Sequence, residues 1–142
     1  VNNKNLHELT LLEDTIEIGY LNLGNPHGIF FTSDIDNFPL DSWGKNLQTY
    51  SWFPTGVNFG LAEINSPSKV KLRVYERGVG ETLSCGSSAC ATVILGVLMG
   101  FLDEEVEVNF KKGSLFVKYN QKNRRLTARG TANFLEEIKI SL

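Results

Sequence analysis

Apolar and polar residues alternate along much of this chain, and such alternation sends successive side chains to opposite faces of a strand. It is clearest in Ile16-Glu17-Ile18, in Val70-Lys71-Leu72-Arg73-Val74 and in Val106-Glu107-Val108-Asn109-Phe110. Strands of this kind bury one face and leave the other wet. A turn at Lys111-Lys112-Gly113-Ser114 leads into Leu115-Phe116-Val117-Lys118-Tyr119, and Asn120 to Asn123 makes a second turn. Arg125 to Asn133 and Glu136 to Ser141 read as closing strands, so the C-terminal third is predicted to be a meander.

Two segments break the alternation. Leu40, Trp43, Leu47 and Tyr50 fall on one stripe of an amphipathic helix that follows Pro39, with Asp41 well placed in its first turn. That helix is expected on the surface. From Ser87 to Leu102 no residue is charged and no face is polar, so a helix of about 24 Å there must be buried all round. Gly96 and Gly100, four apart, are expected to let a neighbouring strand come close, despite a helix-propensity cost of about 1 kcal/mol each. The architecture these elements imply is α+β: a strongly curved mixed β-sheet wrapped around a central apolar helix, with a second, amphipathic helix outside.

Composition narrows the class. The chain has 142 residues, 42% of them hydrophobic and 21% charged, which is the balance of one globular domain covering residues 1–142. Fourteen basic against 16 acidic residues leave a net charge of −2, so there is no electrostatic footprint for nucleic acid or an anionic membrane. The densest basic stretch, Gln121 to Arg125, reads as a solvated turn. The longest apolar run, Ala89 to Leu102, is shorter than the roughly 18 residues that span a bilayer. The N-terminus is polar and shows neither a signal core nor an initiating Met, so the chain is expected to begin partway into a longer protein, with Val1 to Asp14 lacking order when no partner domain covers them.

Chemistry concentrates where a strand ends in Glu76-Arg77, a Gly78-Val79-Gly80 turn follows, and Cys85-Gly86-Ser87-Ser88 opens the apolar helix. A helix N-terminus leaves about four N–H groups unpaired and carries roughly half a positive charge, so it favours anions and thiolates. Cys85 there could be a nucleophile or a proton-transfer base. The bland alternative is a small buried thiol at a turn. Gly86 permits close approach of a ligand, and Ser87 or Ser88 is expected to cap the helix or add a donor. Cys90 lies about 140° further round the helix and reads as core packing. The spacing of the two cysteines fits neither a disulfide framework nor a paired zinc motif, which favours a reducing compartment.

Other polar residues are less specific. Gly24-Asn25-Pro26-His27-Gly28 is a turn in which Asn25, held out of the αR region by Pro26, presents its amide; as structure, Asn-Pro is simply a common turn. His27 has only His7 for company, and no metal-ligand spacing surrounds it. Asn58 stands where an apolar strand residue is expected and would otherwise end an exposed edge. Glu76 and Arg77 could form a surface ion pair of little worth, or hold the ammonium and carboxylate of a zwitterion. Gly78-x-Gly80 lacks the third glycine of a dinucleotide fingerprint, and no phosphate loop is present.

Taken in order, Asn25-Pro26-His27, Val57-Asn58, Tyr75-Glu76-Arg77-Gly78-x-Gly80-Glu81-Thr82 and Cys85-Gly86-Ser87-x-Ala89-Cys90-Ala91 resemble the C-terminal half of diaminopimelate epimerase, over roughly residues 18 to 135. The resemblance implies two similar domains with a cleft between them. It also implies interconversion of L,L- and meso-diaminopimelate for lysine and peptidoglycan synthesis, without cofactor or metal, by two cysteines on opposite faces of the α-carbon. It casts Cys85 as one of that pair and sets Asn25, Asn58, Glu76, Arg77, Gly86 and Ser87 on the substrate, with His27 beside the site. The partners implied are a small amino acid and an absent N-terminal domain in the cytoplasm; a homodimer is compatible with the sequence.

The half that should carry the second cysteine is absent, so this chain alone is expected to be inactive. Gly28, where a cysteine is common, and Lys111-Lys112-Gly113, where Pro-Gly-Gly is usual, are minor departures from the pattern. Two rivals stand beside this reading. One is a proline racemase-like or phenazine-biosynthesis-like isomerase, against which Glu76-Arg77 argues. The other is a non-catalytic scaffold module that merely holds an amino acid, with Cys85 structural.

Overall fold

The computed structural model describes residues 5–130 and 138–141. Its elements run β1 (Leu6–Leu11), β2 (Asp14–Asn22), β3 (Pro26–Phe31), α1 (Leu40–Leu47), β4 (Asn58–Ser66), β5 (Lys69–Glu76), β6 (Gly80–Thr82), α2 (Gly86–Leu98), β7 (Glu105–Phe110), β8 (Gly113–Asn120), β9 (Arg125–Gly130) and β10 (Ile138–Ser141). The strands form one sheet in the order β1-β2-β3-β4-β5-β7-β8-β9-β10, with β6 paired to β5 off that path. Two pairs, β3 with β4 and β5 with β7, are parallel, and the rest are antiparallel. Parallel neighbours need a crossover of a dozen or more residues, and each crossover here contains one helix.

The two helices lie on opposite faces. Along β4, Phe59 and Leu61 join a cluster with Leu40, Trp43 and Leu47 of α1, whereas the alternate residue Ala62 joins a cluster with Ala89, Cys90, Val93 and Ile94 of α2. The period of two along a strand requires this division. Helix α2 touches β2, β3 and β4 on one flank and β8 and β9 on the other. Strands so far apart in the sheet reach one helix only if the sheet curls around it, so the expected α+β architecture is the one observed.

Helix α1 is amphipathic and external as expected, with Leu40, Trp43, Gly44 and Leu47 buried and Asp41 in its first turn. It approaches the sheet so closely that a methyl group on Gly44 would lie 2.2 Å from Tyr75 Cγ. The helix stops at Leu47. Tyr50 belongs to the following turn and packs on the same cluster.

Four expectations need correction or completion. Helix α2 is buried from Ser88 to Val97, but it ends at Leu98 instead of Leu102. Gly100 takes a left-handed φ of 79°, its N–H bonds Val97 O at 3.1 Å, and Phe101 N–H bonds Gly96 O at 2.8 Å. That is the paired closure of a Schellman turn, which glycine accepts without Cβ strain. Gly96 makes room for Leu102 of the returning chain, not for a strand: a Cβ there would stand 2.3 Å from Leu102 Cδ1.

Residues 6–14 are also ordered: β1 pairs with β2 from Leu6↔Gly19 to Leu11↔Asp14 through a turn at Leu12 and Glu13. Backbone pairing and burial of Leu9 tie this segment to the domain without help from any other. The closing strands pair as expected where they are described, β9 and β10 meeting from Ala128↔Ile138 to Arg125↔Ser141; 131–133 and 136–137, assigned to them from the sequence, lie outside the described residues. Among the described residues no helix is long and apolar enough to cross a membrane.

Candidate active site

All eight sequence-predicted site residues gather at one end of the curled sheet. The register explains how. His27 and Asn58 are neighbours across the parallel β3–β4 pair, and β5, antiparallel to β4, brings Glu76 and Arg77 to the same end. Helix α2 starts there with Cys85 as its N-cap residue, in extended conformation, and the first helical bond runs from Ala89 N–H to Cys85 O at 3.0 Å. Residues 86–88 precede that bond, so their N–H groups are not used by the helix and point out of its positive end.

Cys85 is 8% exposed, its Sγ 3.5 Å from Ser87 Oγ. Gly86 and Ser87 are half-buried. Of the two roles expected for the serines, neither caps α2; both hydroxyls are instead engaged across the site. Asn25 Nδ2 donates to Ser87 Oγ at 3.4 Å, and Ser88 Oγ lies 3.1 Å from His27 Nδ1. His27 Nε2 in turn lies 3.1 Å from Asn25 Oδ1. Burial, then the positive charge of Arg77, push the His27 imidazole down to about 4, although Glu76 pulls the other way. His27 is therefore a neutral ring at physiological pH.

Asn58 does not end an exposed edge. It is 6% exposed at the start of β4, inside the sheet, where its Nδ2 donates to Pro26 O at 3.1 Å and its Oδ1 accepts Arg77 N–H at 2.9 Å. The side chain thus pins the Asn25-Pro26 turn to the end of β5. A buried amide satisfied on both sides orients its surroundings.

The two charges at this end are unspent. Among the described residues Glu76 and Arg77 form no ion pair with each other, and the Glu76 carboxylate makes no hydrogen bond. Arg77 Nη1 leans on Thr55 O at 3.3 Å and Oγ1 at 3.4 Å. The nearby Arg73 behaves oppositely, with Nε and Nη2 each 2.9 Å from a Glu81 oxygen in a two-pronged pair. That pair lines a cavity of about 580 Å³ with Asp36, Lys71 and Lys111, which includes none of the eight residues.

The sequence reading missed two groups that hold this end in place. Gln48, at the end of α1, accepts Val57 N–H through Oε1 at 3.0 Å and donates through Nε2 to Val57 O at 2.8 Å and Gly44 O at 2.9 Å. It thereby clamps the chain just before Asn58. Nothing in the sequence marks Gln48, since the contact spans a loop whose path is tertiary. Ser88 had a signal, a polar residue opening a helix with no other polar face, which marks it as a cap or a donor but does not name His27 as its partner.

Cys90 is fully buried in the α2 cluster, and its thiol is pushed up to about 12 by burial, with Cys85 adding to the shift. It faces hydrocarbon, as its position on the helix implies.

Comparison with known proteins bears on this arrangement. The family model for diaminopimelate epimerase matches residues 19–135. A diaminopimelate epimerase of Nitrosospira multiformis is 39% identical over 136 residues, covering 96% of this chain and 49% of that protein. One from Buchnera aphidicola is 39% identical over 127 residues, covering 89% and 44%. The chain therefore spans about half the length of the curated relatives it matches. Among solved structures, a Bacillus anthracis phenazine biosynthesis protein of the PhzF family superposes with a TM-score of 0.57 over 82% of this chain and 40% of its own. At 18% identity that likeness speaks to the fold alone. With a family match over most of its length and relatives of this identity, the chain belongs to the diaminopimelate epimerase family.

Proposed function

We propose that this chain is the C-terminal catalytic domain of a diaminopimelate epimerase and supplies one of its two proton-transferring thiols, Cys85. The observation that carries the reading is the juxtaposition of Cys85, at the amide-rich end of α2, with a carboxylate and a guanidinium at the end of β5 that form no ion pair among the described residues. An amino acid's α-carbon carries both an ammonium and a carboxylate, and this end of the sheet offers a partner for each.

The α-proton of an amino acid is a very weak acid. Its removal needs the developing carbanion to be met by preorganised donors instead of mobile water. In this reading the Gly86 and Ser87 N–H groups take the α-carboxylate, and charge spreading into it is stabilised by the α2 N-terminus. Glu76 takes the ammonium; Arg77, Asn25 and Asn58 complete the frame. One sulfur, as thiolate, accepts the α-proton while the thiol on the opposite face delivers its own to the carbon. The carbon inverts, and the two sulfurs exchange protonation states. No cofactor or metal is called for. Cys90 cannot be the second sulfur, because it is sealed in the core of the same helix. The partner thiol belongs to a second domain of the kind that the relatives' doubled length accommodates.

The test is to mix this chain with a matching N-terminal half and follow exchange of the α-proton of diaminopimelate in deuterated water. Exchange is expected with the pair, and none with either part alone or with Cys85→Ala. No exchange from a folded pair would overturn the assignment in favour of an amino-acid-binding module.

A further inference from the structure

We propose that Ser88 is a positioning residue that sets the His27 tautomer and, through Asn25 and Ser87, aims a hydroxyl proton at the Cys85 sulfur. The proposal rests on the reading of Cys85 as a proton-transfer thiol and extends it to a residue that touches no substrate.

Four contacts form one continuous chain: Ser88 Oγ to His27 Nδ1 at 3.1 Å, His27 Nε2 to Asn25 Oδ1 at 3.1 Å, Asn25 Nδ2 to Ser87 Oγ at 3.4 Å, and Ser87 Oγ to Cys85 Sγ at 3.5 Å. Donor and acceptor chemistry gives it a single direction. A carboxamide oxygen only accepts, so Nε2 must carry the proton that faces Asn25 Oδ1. A neutral imidazole has one N–H, which leaves Nδ1 bare and able only to accept from the Ser88 hydroxyl. At the other end the Asn25 amide already donates to Ser87 Oγ. The Ser87 proton is then free to point at Cys85 Sγ.

Burial gives Ser88 its leverage. Ser88 and His27 are both 0% exposed, so water does not replace a missing donor at Nδ1. Without the Ser88 hydroxyl the Nε2–H form loses its advantage, and the tautomer protonated at Nδ1 competes. In that form Nε2 accepts, so Asn25 turns its amide toward the ring and its oxygen toward Ser87. The Ser87 proton follows that oxygen and leaves the sulfur. A hydrogen-bond donor strengthens when its acceptor is charged, so losing this one weakens the thiolate form of Cys85 in particular.

The experiment is long-range proton–nitrogen NMR of the His27 ring, together with iodoacetamide alkylation of Cys85 near neutral pH. It compares the wild-type chain with Ser88→Ala, Ser88→Gly and Ser87→Ala. Wild type should show His27 neutral and protonated at Nε2. Ser88→Ala should populate the Nδ1–H form and slow Cys85 alkylation about threefold, while Ser87→Ala should slow it about tenfold and leave the ring at Nε2–H.

Cys90 reports on folding in the same sample, since it should stay unlabelled in any folded variant. If Ser88→Ala exposes Cys90, Ser88→Gly takes its place. An Nε2–H ring and an unchanged Cys85 rate in a folded Ser88 variant would overturn the proposal. Neither readout uses substrate, so that result leaves the epimerase reading standing, and a failed exchange assay would leave the relay standing.

Discussion

The two ends of helix α2 solve the same problem in opposite ways. Every helix terminus exposes backbone groups that the helix itself cannot pair. At the C-terminal end the chain settles its own account: Gly100 turns left-handed, the N–H groups of Gly100 and Phe101 return to Val97 and Gly96, and Leu102 fills the hollow over Gly96. At the N-terminal end nothing comparable happens. The N-cap residue is a cysteine without a capping side chain, the two following serines bond sideways to Asn25 and His27, and residues 86–88 precede the first helical bond, so the helix leaves their amides unused. One end is closed by its own chain, and the other leaves its first amides outside the helical bonding. Spare hydrogen-bonding capacity, more than burial or concavity, distinguishes the end proposed to be functional.

The contrast can be tested most sharply through the two thiols. Cys85 sits at the open end and Cys90 one turn inside, so native alkylation should favour Cys85 by more than about a thousandfold, because Cys90 reacts only when the domain opens. Mass mapping of the labelled peptides measures the ratio, and comparable labelling would erase the distinction between the two ends.

The next largest effect concerns pH. His27 is lowered from the usual 6.5 to about 4 by burial and by Arg77, so between those values the unfolded chain binds a proton that the folded chain refuses. Stability due to this group is fully present above about pH 6.5 and is lost as pH falls toward 4, by about 3 kcal/mol in all. Urea unfolding of wild type and His27→Gln at pH 7 and near pH 4.5 measures it, and the variant should lose most of that dependence. Equal slopes for the two proteins would remove His27 from the open end's electrostatics.

At the closed end the effects are smaller. Gly96→Ala drives a Cβ into Leu102 and should cost about 2 kcal/mol by denaturant unfolding, a cost that shrinks in a Leu102→Ala background if those two residues are coupled. Gly100→Ala meets no atom but must adopt a φ of 79°, for about 1 kcal/mol. Neither change should alter the Cys85 alkylation rate, since both lie at the far end of the helix. A slower Cys85 in either variant would show that the two ends are not independent.

Much of this was legible from local rules. The period-two strands, the amphipathic stripe of α1 and the uniformly apolar α2 depend on side-chain spacing alone, and from them the wrapped architecture follows. The Glu76-Arg77 and Cys85-Gly86-Ser87 segments stood out because their residue types suit a zwitterion and a helix start. Local rules misjudged what depends on neighbours. The end of α2 was set too late because Gly100 looked like a packing glycine, whereas its φ makes it a terminator. Asn58 looked like an edge residue because its two partners, Pro26 O and Arg77 N–H, are 32 and 19 positions away.

By itself, then, the sequence determined most of the elements, the apolar centre and the family, since these depend on residue type and on spacing within a segment. Only the tertiary structure decided that Ser88 serves His27 instead of capping its helix, that Gln48 clamps the chain before Asn58, and that among the described residues Glu76 and Arg77 form no ion pair while Arg73 does. The reason is physical: a polar side chain can be satisfied by many groups, and which one it meets depends on strand order and register, which bring together residues that no local pattern connects.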